Sequence, residues 1–337
     1  VAHTIPMRFF RATVESLMKR GFDLERALRG AGLDWRLYAE DRARMTPEQV
    51  TSVVRALWIQ ADDELLGLGP RPVPRGTLRL AGLTSIHTRD LRAALARLLE
   101  LVAVGTGIRF TMETDAAGLV TISSDEPAGV RVDPLVTFSF VGGLHRYAGW
   151  LIGTPITLRS IEFPFDAEFL AEDYTVIFGV RPRFAMPRIA MSFDAALLTK
   201  PVVRNEADLK PFLRDAPGVL FYAQNQPATT AARVRTILER NPDGPWLTAD
   251  DLGRRLSISA PHLRRLLRAE GTSQRRIQEE ILRDRAVEAL VHGDEPIADL
   301  AARLGYSEAS AFRRAFHRWT GSAPIDYRAS RSGNLDE

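Results

Sequence analysis

The chain has 337 residues, 45% of them hydrophobic and 26% charged, with a formal net charge of +3. This mix excludes a disordered or collagen-like polymer, and at roughly 100–200 residues per domain the length suits two domains with separate cores. Cysteine is absent, which excludes disulfides, thiolate metal sites, iron–sulfur clusters and a cysteine nucleophile.

From the amino terminus, Phe10, Val14, Leu17 and Met18 recur at helical spacing, as do Val50, Val53, Val54, Leu57 and Trp58. Thr46-Pro47-Glu48-Gln49 is a helix start, with Thr46 as N-cap, Pro47 at the first helical position and Gln49 placed for a capping box. Pro70, Pro72 and Pro74 interrupt the chain. Residues 88–104 form an amphipathic helix through Leu91, Leu95, Leu98, Leu99 and Val102. Two strands follow, 108–113 and 119–123, joined by the turn Asp115-Ala116-Ala117-Gly118. A helix over 134–151, strands over 157–163 and 188–193 around a short helix at 168–177, and a helix over 207–225 complete this part. Helices and strands are separated, not alternating, which makes the segment α+β.

Past Gln226-Pro227-Ala228-Thr229-Thr230 the periodicity is helical: 231–240, 248–256, 259–269, 272–292, 296–304, 307–318 and a turn at 324–328. Gly271, Gly293, Gly305 and Gly321 follow helices, where a left-handed residue is needed. Thr248, Ser259, Thr272 and Ser307 precede them as N-caps. Every basic residue from 229 onward is arginine, 18 in all against 16 acids. Arginine's planar fork suits phosphates and guanine edges.

Two short helix–turn–helix units share one feature: the second helix carries adjacent arginines, Arg264-Arg265 and Arg313-Arg314. In the first, Leu263, Leu266 and Leu267 form the buried stripe, leaving Pro261, His262, Arg264, Arg265 and Arg268 outside it. In the second, Phe312, Ala315, Phe316 and Trp319 are buried, with Ser310, Ala311, Arg313, Arg314 and His317 around them. One arginine pair is an ordinary solvated face; the same pair on the second helix of both units points to DNA. A helix fits the major groove, and arginine bridges guanine O6 and N7. The helix 273–292 between the units is about 30 Å long, close to the separation of about 34 Å between successive grooves.

Residues 297–308 with Ala301, Gly305 and Tyr306, then Phe312-Arg313-Arg314-Ala315-Phe316 and Pro324-Ile325-Asp326-Tyr327-Arg328, closely resemble the signature of the AraC/XylS transcription regulators. Ser259-Ala260-Pro261-His262-Leu263-Arg264-Arg265 resembles the first recognition helix of that family. By position, the resemblance places Pro261, Arg264 and Arg265, and Ser310, Ala311, Arg313 and Arg314, where the family contacts bases. Pro261 and Ala311 lack hydrogen-bonding side chains, which limits them to thymine-methyl contact. Residues 76–101 and Phe178-Gly179-Val180-Arg181-Pro182-Arg183-Phe184 resemble the arabinose-binding-type amino-terminal domain of such regulators.

The expected organisation is an α+β effector-binding and dimerisation domain over 1–226, followed by an all-α domain over 229–330 with two helix–turn–helix units joined by a long helix. Expected partners are double-stranded promoter or operator DNA, a small organic effector, RNA polymerase and a second copy of the chain. His145, Arg146, Tyr147 and Trp150 on one helix are the candidate effector residues, and Arg146 would favour an anionic effector. No cofactor or metal is expected. Asp62-Asp63-Glu64 reads as a solvated helix end, and Gly305-Tyr306-Ser307-Glu308-Ala309 fails as a nucleophile elbow at its last position. The alternative is an enzyme or small-molecule-binding domain fused to a DNA-binding module. The longest apolar stretches, such as 98–105, fall far short of the ~20 residues of a membrane span, and the amino terminus lacks the plan of a signal peptide. A cytoplasmic location is expected.

Overall fold

The structure is a computed structural model that describes residues 4–125, 133–219, 229–240 and 246–332. The chain opens with β1 (Ile5–Pro6), α1 (Met7–Met18), α2 (Leu24–Gly30), α3 (Trp35–Ala39), β2 (Arg44–Met45) and α4 (Pro47–Ala61). The α4 start follows its sequence signature: Thr46 accepts from the Gln49 backbone, and Gln49 returns a bond to the Thr46 N–H. The short antiparallel β1–β2 pair, Ile5 against Met45, was not legible in the sequence. Nor was α5 (Thr77–Ile86), which follows the prolines without a clean apolar stripe.

After α6 (Leu91–Thr106) come β3 (Arg109–Thr114), β4 (Leu119–Asp125), α7 (Pro134–Leu151) and β5 (Leu158–Glu162). A 3-10 turn (Glu168–Leu170), α8 (Ala171–Phe178), β6 (Ala190–Asp194), a second 3-10 turn (Ala195–Thr199) and α9 (Glu206–Val219) complete this half. The four strands form an antiparallel sheet in the order β3-β4-β6-β5, with Val120 opposite Phe193 and a register shift between Leu158 and Ser160. Strand β6 is buried on both faces, and Ser192 meets its polar neighbour Ser160 at 2.6 Å. The α+β expectation holds. Phe9, Phe138, Phe163 and Tyr174 pack edge-to-face, with ring centroids 5.2–5.6 Å apart, and tie α1, α7, α8 and the end of β5 into one core.

Of Asp62-Asp63-Glu64, only Asp62, the exposed C-cap of α4, is a solvated helix end. Asp63 is buried and accepts from the backbone N–H groups of Leu65, Gly67 and Val73, while Glu64 accepts from Gly76 and Leu78. These carboxylates satisfy the backbone of the proline-containing loop, which has no ladder of its own.

The remaining helices are α10 (Thr230–Glu239), α11 (Ala249–Leu256), α12 (Ala260–Ala269), α13 (Gln274–His292), α14 (Ile297–Arg303), α15 (Ala309–Thr320) and α16 (Pro324–Ser332). The expected division near Gln226, and the part of the expected 207–225 helix beyond 219, lie outside the described residues. Thr248 and Ser259 cap as expected. Ser273, not Thr272, caps α13, and Glu308, not Ser307, occupies the N-cap of α15 without a side-chain bond. Gly271, Gly305 and Gly321 are left-handed, whereas Gly293 is extended at φ −112°.

The two helix–turn–helix units sit differently. Leu252, Leu256, Leu263 and Leu267 of the first pack with Val234, Leu238, Ile277 and Ile281 in a small core of their own. The second unit, through Phe312, Phe316 and Tyr327, belongs to the large core that continues into the amino-terminal half.

Candidate DNA interface and the interior of α7

In the first unit, α11 and α12 are closed by a turn that passes hard against Gly253. A Cβ there would stand 2.6 Å from the Ile258 carbonyl oxygen, so the turn needs a residue without a side chain. Ser259 caps α12, and Ala260, Leu263 and Leu267 are buried. That fixes the rotation of α12 and leaves Pro261, Arg264, Arg265 and Arg268 exposed, with His262 half-buried. The helix itself contains no acid. Arg264, Arg268 and Arg275 border a concavity of about 300 Å³ reaching the capped start of α13.

In the second unit, burial of Phe312, Ala315, Phe316 and Thr320 turns Ser310, Arg313, Arg314, His317 and Arg318 outward. Ala311 is half-buried. Ser310 Oγ donates to Glu308 at 3.0 Å, so its hydroxyl is partly engaged. Arg313, Arg314 and His317 face a groove of about 540 Å³ closed by Ile297 and Ala323-Pro324-Ile325. Arg318, on the same surface, was not among the expected contacts; it lies just past the arginine pair at helical spacing. Helix α13 joins the units over 19 residues, about 28 Å at 1.5 Å per residue.

Of the candidate effector residues, His145, Arg146 and Tyr147 are buried and Trp150 is half-buried. His145 is buried and its Nε2 lies 2.7 Å from the Ile156 carbonyl oxygen. Burial, with Arg146 beside it, pushes the imidazole down to about 3, so it is neutral at ordinary pH. Arg146 is 1% exposed and donates to the Ile177 carbonyl of α8. Burial pushes its guanidinium down to about 9. Tyr147 Oη meets Ser85 Oγ at 2.7 Å and the Gly82 carbonyl at 3.1 Å on α5. Trp150 stacks on Phe212 of α9 and receives Arg204 over its ring. The four residues therefore reach α5, α8 and α9 from one helix. Arg146 points inward.

A buried charge cluster in the middle of α13 was not anticipated. Asp284 is 1% exposed. Its carboxylate accepts from Thr4 at 2.5 Å and from Arg235 at 2.6 Å, with Arg283 at 3.2 Å and Arg44 at 3.8 Å. Burial alone would raise this carboxyl, yet Arg283, Arg44 and Arg235 hold it well below the usual carboxylate range. The Arg44 N–H also donates to Tyr327 Oη at 2.8 Å. Residues 4 and 44, brought together by the β1–β2 pair, thus meet α13 and α16.

A family model described as the arabinose-binding domain of AraC transcription regulators matches residues 21–202, more than half of the chain, and a helix–turn–helix domain model matches 252–330. The chain belongs to the AraC family of transcription regulators. It is 29% identical over 186 residues to the ornithine utilization regulator of Pseudomonas aeruginosa, spanning 55% of this chain and 54% of that protein. It is 32% identical over 98 residues to the regulator VqsM of the same species, 29% of this chain and 30% of that one. To VirS of Mycobacterium tuberculosis it is 28% identical over 188 residues, 53% of this chain and 52% of that one. The chain spans about half the length of such relatives. A solved structure of the regulator CdpR from Pseudomonas aeruginosa is similar over 84% of this chain and 87% of that one, at 22% identity and a TM-score of 0.31. These AraC-family relatives are regulators, not enzymes. No helix of the described residues is long and apolar enough to cross a membrane.

Proposed function

We propose that this chain is a sequence-specific DNA-binding transcription regulator whose two recognition helices, α12 and α15, enter successive major grooves. The observation that carries the reading is the pair of acid-free, arginine-bearing second helices presented outward at the two ends of α13. Arg264, Arg265, Arg313 and Arg314 read base edges, while Arg268, His262, His317 and Ser310 hold phosphates or flanking bases. Pro261 and Ala311 offer apolar contact to thymine methyls. The DNA-binding module occupies 229–330 and the sensing and dimerisation domain 1–226. A small organic effector acts on that domain through His145, Arg146, Tyr147 and Trp150, with Arg146 as the anchor for an anionic group. Promoter or operator DNA and RNA polymerase are its macromolecular partners, together with a second copy of the chain.

The likeness to a protein named for ornithine utilisation places ornithine among the first effectors to assay. The decisive experiment is a footprint on DNA flanking the gene, repeated across a salt series. Two protected segments one helical turn apart on the same face, with affinity falling steeply with salt, are expected. A single protected segment would leave a DNA-binding protein but refute two-groove docking.

A further inference from the structure

The Glu48, Glu288 and His292 side chains converge at the seam between the two halves, their ligand atoms all within 4.8 Å of one another. Glu48 stands in the first turn of α4, and Glu288 and His292 are one turn apart on the last part of α13. We propose that these three side chains bind a divalent transition-metal ion of the Zn2+ type, which pins the connecting helix to the amino-terminal domain.

Distances favour coordination over hydrogen bonding. His292 Nε2 lies 3.7 Å from Glu48 Oε2 and 3.6 Å from Glu288 Oε2. Both separations exceed the reach of a hydrogen bond. They come close to the edge of a tetrahedron around Zn2+, about 3.3–3.4 Å for bonds of about 2.0–2.1 Å. A second, independent feature points the same way. Glu288 Oε1 is buried and accepts no hydrogen bond among the described residues. A buried acceptor that no described residue donates to is costly to leave unmet, and an ion held by the same carboxylate would offset that cost. Two carboxylates facing one another on packed helices also repel, which a dication reverses. One imidazole and two carboxylates suit Zn2+ better than Mg2+, which prefers an all-oxygen octahedron. Three protein ligands would leave a fourth position for water; Glu48 and His292 also line a groove of about 300 Å³ with Gly32, Gln49, Ser52 and Tyr327. Binding there would tie α4 to α13, the helix that joins both recognition units.

The test uses the full-length chain, freed of metal by chelation and titrated with Zn2+ against a chromophoric chelator. One ion per chain is expected, uncompeted by excess Mg2+, together with a Zn2+-dependent rise in the unfolding midpoint. Glu48→Gln and His292→Ala should each weaken binding by at least about tenfold and lose the midpoint rise. Both residues are exposed at this seam, so their metal-free unfolding should match the parent. His87, the other described histidine beside an acid, lies 3.2 Å from Glu206; His87→Ala should leave binding unchanged. Absence of stoichiometric binding, unchanged affinity in Glu48→Gln, or its loss in His87→Ala would each overturn the site. None of these readouts depends on DNA or effector.

Discussion

Arg265 and Arg314 extend from the exposed faces of α12 and α15 and make no hydrogen bond or ion pair among the described residues. Their full set of donors is left for a ligand. Arg265→Ala and Arg314→Ala should each weaken specific DNA binding by about 1–3 kcal/mol and relax the base preference at one position. Arg109→Ala, at an exposed position of β3, should leave specific binding unchanged. Arg204 makes a poor comparison because it holds the Trp150 carbonyl and ring. Gel-shift titrations on operator and scrambled DNA separate these outcomes; equal affinities for parent and both mutants would remove the readout assignment. Glycines offer a second contrast at this scale. Gly253→Ala drives a methyl into the Ile258 carbonyl oxygen and should cost about 1–3 kcal/mol. Gly30→Ala, on open helix surface, should be neutral or stabilising by up to about 1 kcal/mol. Urea unfolding measures both.

Among the elements, α13 carries the most. Its apolar periodicity predicts a buried stripe of Ile277, Ile281, Leu282, Ala286, Ala289 and Leu290; Leu282 and Ala289 are only half-buried, and the other four agree. Its buried Asp284 does not, because a charge in the stripe reads as an interruption until its arginines are in place. Asp284 has a depressed carboxyl, so the sign is fixed: its contribution is present above the ordinary value of 3.8 and is lost as pH falls through the lowered folded value. Stability should therefore decline below about pH 4 in the parent, and the Asp284→Asn variant should show a shallower decline in acid urea titrations. At neutral pH, Asp284→Ala leaves Arg235, Arg283 and Arg44 without their shared anion, at a cost of about 3–5 kcal/mol. Continuity of the helix is tested separately. Glu279 is half-exposed and among the described residues pairs with Arg275 in the preceding turn, so Glu279→Pro should act through the backbone, costing about 3 kcal/mol or more. The footprint should then shorten to one groove; an unchanged footprint would refute the spacer role of α13.

At the scale of the whole molecule, the two units are not equivalent. The first has a core of its own, while the second shares the core of the amino-terminal half; Arg44 joins that half to Tyr327 of α16, and Thr4 joins it to Asp284 of α13. Gly321, left-handed at φ 72°, lies where any Cβ would overlap the Glu40 side chain, so the approach is close as well as polar. The amino-terminal half packs directly against the second unit, and through Asp284 it also meets Arg235 of α10, whose Val234 and Leu238 pack in the core of the first unit. A fragment beginning at about residue 229 should keep salt-dependent DNA binding and lose the effector response. Fluorescence anisotropy on labelled operator, with and without effector, compares it with the whole chain. An effector response retained by the fragment would move the sensor out of the amino-terminal domain.

Local patterns settled what depends on neighbours along the chain. The capping box of α4, the α12 cap, the arginine pairs and the apolar stripes of α12, α13 and α15 are set by residues one to seven positions apart, and the sequence alone determined them. Helix α5 escaped because it has no strong amphipathic period and follows a proline-broken loop. The roles of Asp63 and Asp284 were hidden because a carboxylate's partner cannot be read from its position. Thr4 and Asp284 are 280 residues apart, and nothing in either segment predicts the other. Sequence also put His145, Arg146, Tyr147 and Trp150 on one helix, but only packing against α5, α8 and α9 turned them inward. Tertiary structure alone decided that the second unit is fastened to the amino-terminal half and that Glu48 faces His292, because burial and long-range approach are properties of the packed chain.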